Sequence, residues 1–291
     1  MGVFLRNLLI NAARLAGSIH KDVLRRGPVE GKSKSSDPNS RDLVTIADPE
    51  SEKALRTFFS KHLPTYNIFG EEFGATYNGN GKVLVIDPLD CTHSYAQGLP
   101  VFGPIIAVYE HGECVAGIEY NVLKNIIHVA TLDTGFEQIG SKEEGLEKNV
   151  IDVESKIPGV PDFAVQVRER VRQKFPKNPV IIQKQDILCR SRVCTGYWAA
   201  YFHAGEALHD FSPIPLFGRL TDTLVQDHTG KPYDRMDPVA ELQKYQRTKA
   251  TEDRKYVYSH PLLVVKKEYA EGMLEILSHF KEGLDKRQNP N

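Results

Sequence analysis

A short apolar run followed by two aspartates around a proline is the feature that most constrains this fold. Residues 83–86 read Val-Leu-Val-Ile, a β-prone run typical of a buried strand. Asp87 is therefore expected at the end of that strand, where Pro88 fixes its own φ and restricts the residue before it. We expect the turn to fold Asp87 and Asp90 toward each other, with the Leu89 carbonyl between them.

Oxygen ligands in this arrangement suit a hard divalent cation. Gly70-Glu71-Glu72 lies upstream and can add another carboxylate, with Glu72 more typical of a surface charge. Mg²⁺ takes oxygen ligands in near-octahedral geometry and keeps several waters, which two or three carboxylates and a carbonyl would allow. The alternative is an ordinary turn, because aspartate and proline are also common turn formers.

Further segments surround this turn in a defined order. Residues 42–48 and 68–72 lie upstream, and residues 98–108 follow it. In that order and at these spacings, the chain resembles the inositol monophosphatase family of Mg²⁺-dependent, lithium-sensitive phosphatases. The resemblance covers residues 42–120 well and is weaker elsewhere.

The resemblance implies a site for two metal ions. Matched to the family motif, Glu71, Asp87 and the Leu89 carbonyl would hold the first Mg²⁺, which activates the attacking water. Asp87 would bridge the two ions, and Asp90 would hold the second one beside the leaving group. A pair of metal ions of this kind can activate water and stabilise the leaving oxygen.

The same resemblance assigns the proton transfer and the phosphate contacts. Thr92, paired with Asp48, would act as general base, and the amides of Cys91 and Thr92 would receive the phosphate at a helix start. Simpler roles are a helix cap for Asp48, followed by proline, and a turn hydroxyl for Thr92. A thiolate nucleophile at Cys91 is disfavoured because its flanks lack the glycine-rich cradle and arginine. This position is normally glycine in the family.

The second family signature, a Trp-Asp pair opening a helix, is not found at the expected spacing. Counting back from Gly230 puts Leu216 and Phe217 at that pair, whereas counting from Gly205 puts Gly218 or Arg219 there. Neither count yields a carboxylate. Asp222 and Asp210 are the nearest alternatives. We therefore expect a weakened second ion site, and we expect Phe217→Asp to tighten Mg²⁺ binding.

The pattern of apolar residues predicts a mixed α/β protein. The resemblance adds a layered α-β-α-β-α sandwich, as in the inositol monophosphatase and fructose-bisphosphatase superfamily. Its halves would be residues 1–148 and 149–291, packed as one catalytic unit. Helices are predicted near residues 5–23, 49–63, 163–175, 195–208, 219–228 and 269–280, and strands at 83–86, 105–109, 114–120, 126–131, 135–139, 180–183 and 262–265.

Composition limits the possible partners and locations. The 291 residues carry 37 Lys and Arg against 38 Asp and Glu, which does not favour a nucleic-acid polymer as partner. The four cysteines lack zinc-ligand spacing and are expected to be reduced thiols. The longest apolar runs are too short to span a membrane, so we expect a cytoplasmic protein. A homodimer is implied by the resemblance.

Together these features predict Mg²⁺-dependent hydrolysis of the phosphate monoester of a small metabolite. Two alternatives remain open: a family member that binds a phosphorylated ligand without turnover, and one recruited to another biosynthetic reaction. The apolar run at residues 212–217, expected in the substrate loop, argues weakly against inositol phosphate. Residues 27–41 are either a polar linker or a mobile active-site flap.

Overall fold

A computed structural model describes residues 1–33, 43–76, 78–141, 143, 147–154, 160, 162–181, 186–238, 240 and 260–288. Most of the predicted flap, Asp42, and the end of the strand predicted at residues 180–183 lie outside the described residues.

Helices and strands alternate along much of the described chain. The helices are α1 (Gly2–Arg25), α2 (Ala47–His62), α3 (Thr92–Ala96), α4 (Phe163–Lys174), α5 (Ser191–Cys194), α6 (Leu208–Phe211), α7 (Ile214–Thr221), α8 (Lys267–Ser278) and α9 (Lys281–Gln288). The strands are β1 (Lys32–Ser33), β2 (Leu43–Val44), β3 (Asn67–Gly70), β4 (Gly74–Ala75), β5 (Lys82–Asp90), β6 (Gly103–Glu110), β7 (Glu113–Asn121), β8 (Ile126–Thr131), β9 (Gly135–Gly140), β10 (Val150–Glu154), β11 (Val180–Ile181), β12 (Trp198–Glu206), β13 (Thr223–Gln226) and β14 (His260–Lys266).

A seven-stranded sheet carries the predicted metal turn. Its order is β4-β3-β5-β6-β7-β8-β9, with β3 and β5 parallel and the other neighbours antiparallel. Helices α1 and α2 cover one face. The helix predicted near residues 5–23 is α1, and its apolar face, which includes Leu5, Leu9 and Ala16, is buried against this sheet.

A five-stranded sheet forms the second half of the molecule, in the order β11-β10-β12-β14-β13. Helices α4, α8 and α9 pack on its outer face. Helices α5, α6 and α7 lie between the two sheets and bury apolar side chains against both. The predicted α-β-α-β-α sandwich is therefore confirmed.

Two predicted helices are wrong. Residues 195–208 hold the strand β12, and residues 219–228 hold the end of α7 followed by β13. Strand β12 lies between β10 and β14 and is buried on both faces, so its alanines and aromatics lack the alternation of a half-exposed strand. Tertiary contacts thus decide the conformation of this segment.

The remaining predicted elements are found with most bounds within two residues of those expected, but α1 begins three residues earlier and β5 continues four residues further. These include the hairpin of β6 and β7, the strands β8 and β9, and the helices α4 and α8. Trp198, the single tryptophan of the chain, is 1% exposed and lies in the core. Among the described residues, none of the helices is both long and apolar enough to cross a membrane.

Candidate active site

The turn around Pro88 is a bulge inside a strand rather than the end of one. Strand β5 continues to Asp90, and its register with β6 shifts between Asp87 and Asp90. The prediction that the strand ends at Asp87 is therefore wrong. The bulge is fixed by the Leu89 N–H, which donates to Asp87 Oδ1 at 2.9 Å.

A histidine from α1 holds the same bulge from the opposite side. His20 Nε2 lies 3.0 Å from the Pro88 carbonyl oxygen, and its ring is fully buried. Burial lowers the pKa of His20 to about 3, so the ring is neutral and Nε2 carries the hydrogen that the carbonyl accepts.

The turn that carries Glu71 is held by a second buried carboxylate. Glu52 of α2 accepts the backbone N–H groups of Glu72 at 2.6 Å and Phe73 at 3.2 Å. A Cβ at Gly70 would stand 2.1 Å from Glu52 Oε1, so this position needs glycine. The contact between α2 and the turn therefore sets the position of Glu71.

The structure brings the predicted ligands together in two overlapping groups. Ligand atoms of Glu71, Asp87 and His209 lie within 4.8 Å of one another, and so do those of Asp87, Asp90 and Asp210. Asp87 belongs to both groups, which agrees with its predicted bridging position. The arrangement can hold divalent cations because carboxylate oxygens predominate in it.

Burial makes this cluster electrostatically unfavourable by itself. Asp87 is 1% exposed, and burial followed by repulsion from Glu71 and Asp90 raises its pKa well above the usual range. Burial likewise raises the pKa of Asp210 to about 7, against the opposing effect of His209. Close carboxylates that repel one another are stabilised by a bound cation, so the donor set fits a divalent metal.

Asp210 supplies the carboxylate that the sequence count failed to find. It lies in α6, directly after β12, with Oδ1 3.2 Å from His209 Nε2. The count from Gly230 failed because both α7 and β13 separate it from Asp210. Asp222, the other alternative, is exposed at the end of α7 and pairs with Lys267.

Phe217 does not lie where the sequence count placed it. It is fully buried in α7 and packs edge-on against Phe136, with ring centroids 5.1 Å apart. The expectation that Phe217→Asp tightens Mg²⁺ binding is therefore wrong, because the aspartate would be placed in the apolar core.

The predicted substrate loop is also part of the core. Residues 212–217 include the start of α7 and are buried between the sheets. Their apolar character reflects this packing, so it gives no argument against a polyol substrate.

An arginine compensates one side of the carboxylate cluster. Arg190 Nη1 lies 3.1 Å from Asp90 Oδ2, and the same guanidinium makes two contacts with Glu206, at 3.1 and 3.2 Å. Burial raises the pKa of Glu206, but Arg190, His203 and Tyr201 together outweigh that effect and lower it to about 2. Glu206 also accepts the Tyr201 hydroxyl hydrogen.

The predicted proton-transfer pair is in contact. Thr92 Oγ1 lies 3.0 Å from Asp48 Oδ1 and 2.9 Å from the Leu89 carbonyl oxygen. Asp48 is fully buried, and its Oδ2 accepts both the N–H and the hydroxyl of Thr45. Asp48 is not the helix cap, because α2 begins at Ala47 and Asp48 lies inside its first turn.

Cys91 connects the bulge to α3 in a conformation that favours glycine. Its φ is +65°, in the left-handed region, and its N–H donates to Asp90 Oδ1 at 2.8 Å. The Cys91 amide is therefore occupied by Asp90 in this structure. Burial raises the pKa of the thiol well above its usual value, which argues against a thiolate nucleophile.

His209 and Arg190 were absent from the sequence prediction. His209-Asp210 is an aspartate preceded by a ring-bearing residue, as in the family's Trp-Asp pair, and this dipeptide was the available signal. Arg190 had no local signal, because its partner Asp90 lies 100 residues earlier in the chain.

The chain belongs to the inositol monophosphatase family, whose profile matches residues 4–207. It is 28% identical over 243 residues to a Nus factor SuhB of Xylella fastidiosa, covering 79% of this chain and 84% of that protein.

Solved structures share the fold. An inositol monophosphatase of Thermotoga maritima superposes with a TM-score of 0.72 at 20% identity, covering 94% of this chain and 97% of that one. An IMPase/NADP phosphatase complexed with Mg²⁺ and phosphate gives a TM-score of 0.69 at 16% identity, covering 94% of each chain.

Proposed function

We propose that this protein hydrolyses the phosphate monoester of a small metabolite with the help of divalent cations. Membership in a family of phosphatases supports this class of reaction. The observation on which the proposal mainly rests is the meeting of Asp87, Asp90 and Asp210 in one partly buried cluster. Mg²⁺ is the proposed activating ion, as it accompanies phosphate in a structural neighbour.

The ligands of the first cation would be Glu71, Asp87 and the Leu89 carbonyl. Asp87, Asp90 and Asp210 would hold the second. Bound cations supply Lewis-acid stabilisation for the charge that develops on the phosphate and leaving-group oxygens. Glu71 also counts among the catalytic residues of this proposal, because it positions the first of these cations.

The Thr92–Asp48 pair would remove the proton from the attacking water. A hydroxyl has one hydrogen, so when Thr92 Oγ1 donates to Asp48 its lone pairs can accept a hydrogen from water. As the water oxygen bonds to phosphorus, its proton passes to Thr92 while the Thr92 proton passes to Asp48. The phosphorus–oxygen ester bond breaks, and the leaving oxygen is protonated by solvent.

The phosphate would be received at the start of α3, by the amides of Cys91 and Thr92, as the resemblance implies. The Cys91 N–H now donates to Asp90. A phosphate can therefore accept a hydrogen bond from the Cys91 N–H only if Asp90 turns toward a cation and gives up its own hydrogen bond to that N–H.

The direct test is release of phosphate from a panel of sugar, inositol and nucleotide monophosphates, with and without Mg²⁺. We expect Mg²⁺-dependent release by the wild type and its loss in Asp87→Asn. Asp222→Asn makes the same chemical change at an exposed aspartate paired with Lys267, and should retain activity. Equal release by Asp87→Asn and the wild type would exclude the proposal.

A binding role without turnover is the second candidate function, because relatives carry the name Nus factor SuhB. No release over the whole panel, together with cation binding by calorimetry, would favour it. That result would also reopen the prediction that no nucleic-acid polymer binds, to be measured with labelled RNA.

The predicted homodimer, the cytoplasmic location and the single catalytic unit of two halves remain proposals. Light scattering coupled to size-exclusion chromatography measures the oligomeric state directly. A mass of about twice the chain's 32.7 kDa would support the dimer.

A further inference from the structure

One candidate ligand atom in the cluster is a nitrogen, from the ring of His209, whereas the others are carboxylate oxygens. His209 presents a ring nitrogen within 4.8 Å of the ligand oxygens of both Glu71 and Asp87. Its Nε2 lies 3.8 Å from Glu71 Oε1 and 3.2 Å from Asp210 Oδ1, so ligation of a cation by Nε2 would replace the contact with Asp210. Tryptophan, which the family pattern has before the aspartate, offers only an N–H donor and cannot act as this ligand.

The segment around His209 is rigidly anchored. Leu208 and Phe211 of α6, on either side of the His209-Asp210 pair, are fully buried between the sheets. The Tyr109 hydroxyl donates to the Ser212 carbonyl oxygen at 2.7 Å, which fixes the chain immediately after α6. The His209 side chain itself is 18% exposed, so ions from solution can reach it.

An imidazole ligand changes which cation a carboxylate site prefers. Mg²⁺ favours oxygen donors, whereas imidazole suits first-row transition ions. We propose that His209 joins Glu71 and Asp87 as a ligand of the first cation, and that this nitrogen ligand raises the affinity of the position for divalent transition ions relative to Mg²⁺. The inference rests on the proposed metal site but does not depend on phosphate release.

The experiment uses Mn²⁺ as the probe on the full-length protein after treatment with EDTA. Mn²⁺ affinity is measured by electron paramagnetic resonance, and Mg²⁺ affinity by competition. His209→Gln should lower the ratio of Mn²⁺ to Mg²⁺ affinity by about tenfold or more, because an amide oxygen replaces the nitrogen. His279→Gln, the same change at an exposed position beyond α8, should leave the ratio unchanged.

A spectroscopic readout tests the ligand directly, and its first measurement uses the wild type alone. Electron spin-echo modulation of the Mn²⁺-loaded wild type should show coupling to a histidine nitrogen. The coupling should disappear in His209→Gln and persist in His279→Gln. Absence of nitrogen coupling in the wild type, or an unchanged affinity ratio in His209→Gln, would overturn the proposal.

The outcomes for the two proposals are separable. Nitrogen-coordinated Mn²⁺ without phosphate release would sustain this inference while excluding the proposed hydrolysis. Phosphate release with Mg²⁺, together with a Mn²⁺ site that has only oxygen ligands, would support the proposed hydrolysis and overturn this inference.

Discussion

The guanidinium of Arg190 joins Asp90, a candidate metal ligand, to Glu206 on the opposite half of the molecule. The distance from Arg190 Nη1 to Asp90 Oδ2 is 3.1 Å, and the Arg190 side chain is only 6% exposed. The ion pair therefore connects the seven-stranded sheet, which contains Asp90, to β12 of the five-stranded sheet. The position of Asp90 in the site therefore depends on how the two sheets pack against each other.

We expect Arg190→Met to destabilise the metal-free protein by about 3–5 kcal/mol, because it leaves Glu206 buried without its cation. Arg219→Met breaks an exposed pair with Glu113 and should cost about 1 kcal/mol or less. Urea unfolding in the presence of EDTA measures the change in unfolding free energy for both variants. Equal losses of unfolding free energy in the two variants would contradict the larger contribution expected from the buried pair.

A second prediction concerns Glu119, a fully buried carboxyl on β7. Burial raises its pKa to about 8, although the Ser191 hydroxyl and Arg190 act in the opposite direction. Between about pH 4.5 and 8, folded Glu119 keeps a proton that the unfolded chain has released, so stability falls as pH rises. The slope from this group is at most about 1.4 kcal/mol per pH unit.

Glu119→Gln should remove that slope, so the variant gains stability relative to the wild type as pH increases from 4.5 to 8. Thermal and urea unfolding at several pH values measure the difference. The neighbouring His128, whose pKa burial lowers to about 3, contributes to both proteins and cancels in the comparison. Glu137→Gln, at an exposed position, is the matched control. Parallel stability curves for Glu119→Gln and the wild type would contradict the prediction.

The sequence predicted local parts of the site better than distant ones. Asp87, Asp90 and Thr92 lie within six residues, so strand propensity and proline geometry were enough to place them near one another. Asp210 joins them only through the packing of α6 between the sheets. A count back from Gly230 could not find it, because both α7 and β13 lie between that glycine and Asp210.

The wrong helix prediction at residues 195–208 has a physical origin in the burial of β12. Strand β12 is covered on one face by α5 and on the other by the core of α8 and α9, so both faces are apolar. A short run that is apolar on both faces shows no hydrophobic periodicity, so periodicity cannot distinguish a strand from a helix there. The count back from Gly230 did not allow for β13, which lies in the second wrongly predicted segment, and it therefore placed Phe217 at the metal site.

Phe217 therefore provides a third prediction, about stability. Phe217→Ala should lower the free energy of unfolding by about 3–5 kcal/mol, because it opens a cavity beside Phe136. Phe73→Ala makes the same change at a side chain whose residue is 54% exposed, and should have a small effect. Similar losses in both variants would show that Phe217 is not a core residue.

The last prediction tests the proton path. Thr92→Val keeps the size of the side chain but removes the hydroxyl that contacts Asp48. We expect kcat for phosphate release to fall by about 10²- to 10⁴-fold, the usual contribution of general-base catalysis. Thr92→Ser restores a hydroxyl and should recover most of the activity. Thr57→Val, at an exposed site on α2, controls for the substitution itself.

Calorimetry of the same variants separates a catalytic role of Thr92 from a structural one. Thr92 also approaches the Leu89 carbonyl oxygen, a candidate ligand, at 2.9 Å. If the hydroxyl serves only to hold that carbonyl, Thr92→Val should lose cation affinity and activity in proportion. If the hydroxyl transfers the proton, cation affinity should remain close to that of the wild type while kcat falls. Unchanged kcat in Thr92→Val would exclude the Thr92–Asp48 pair as the general base.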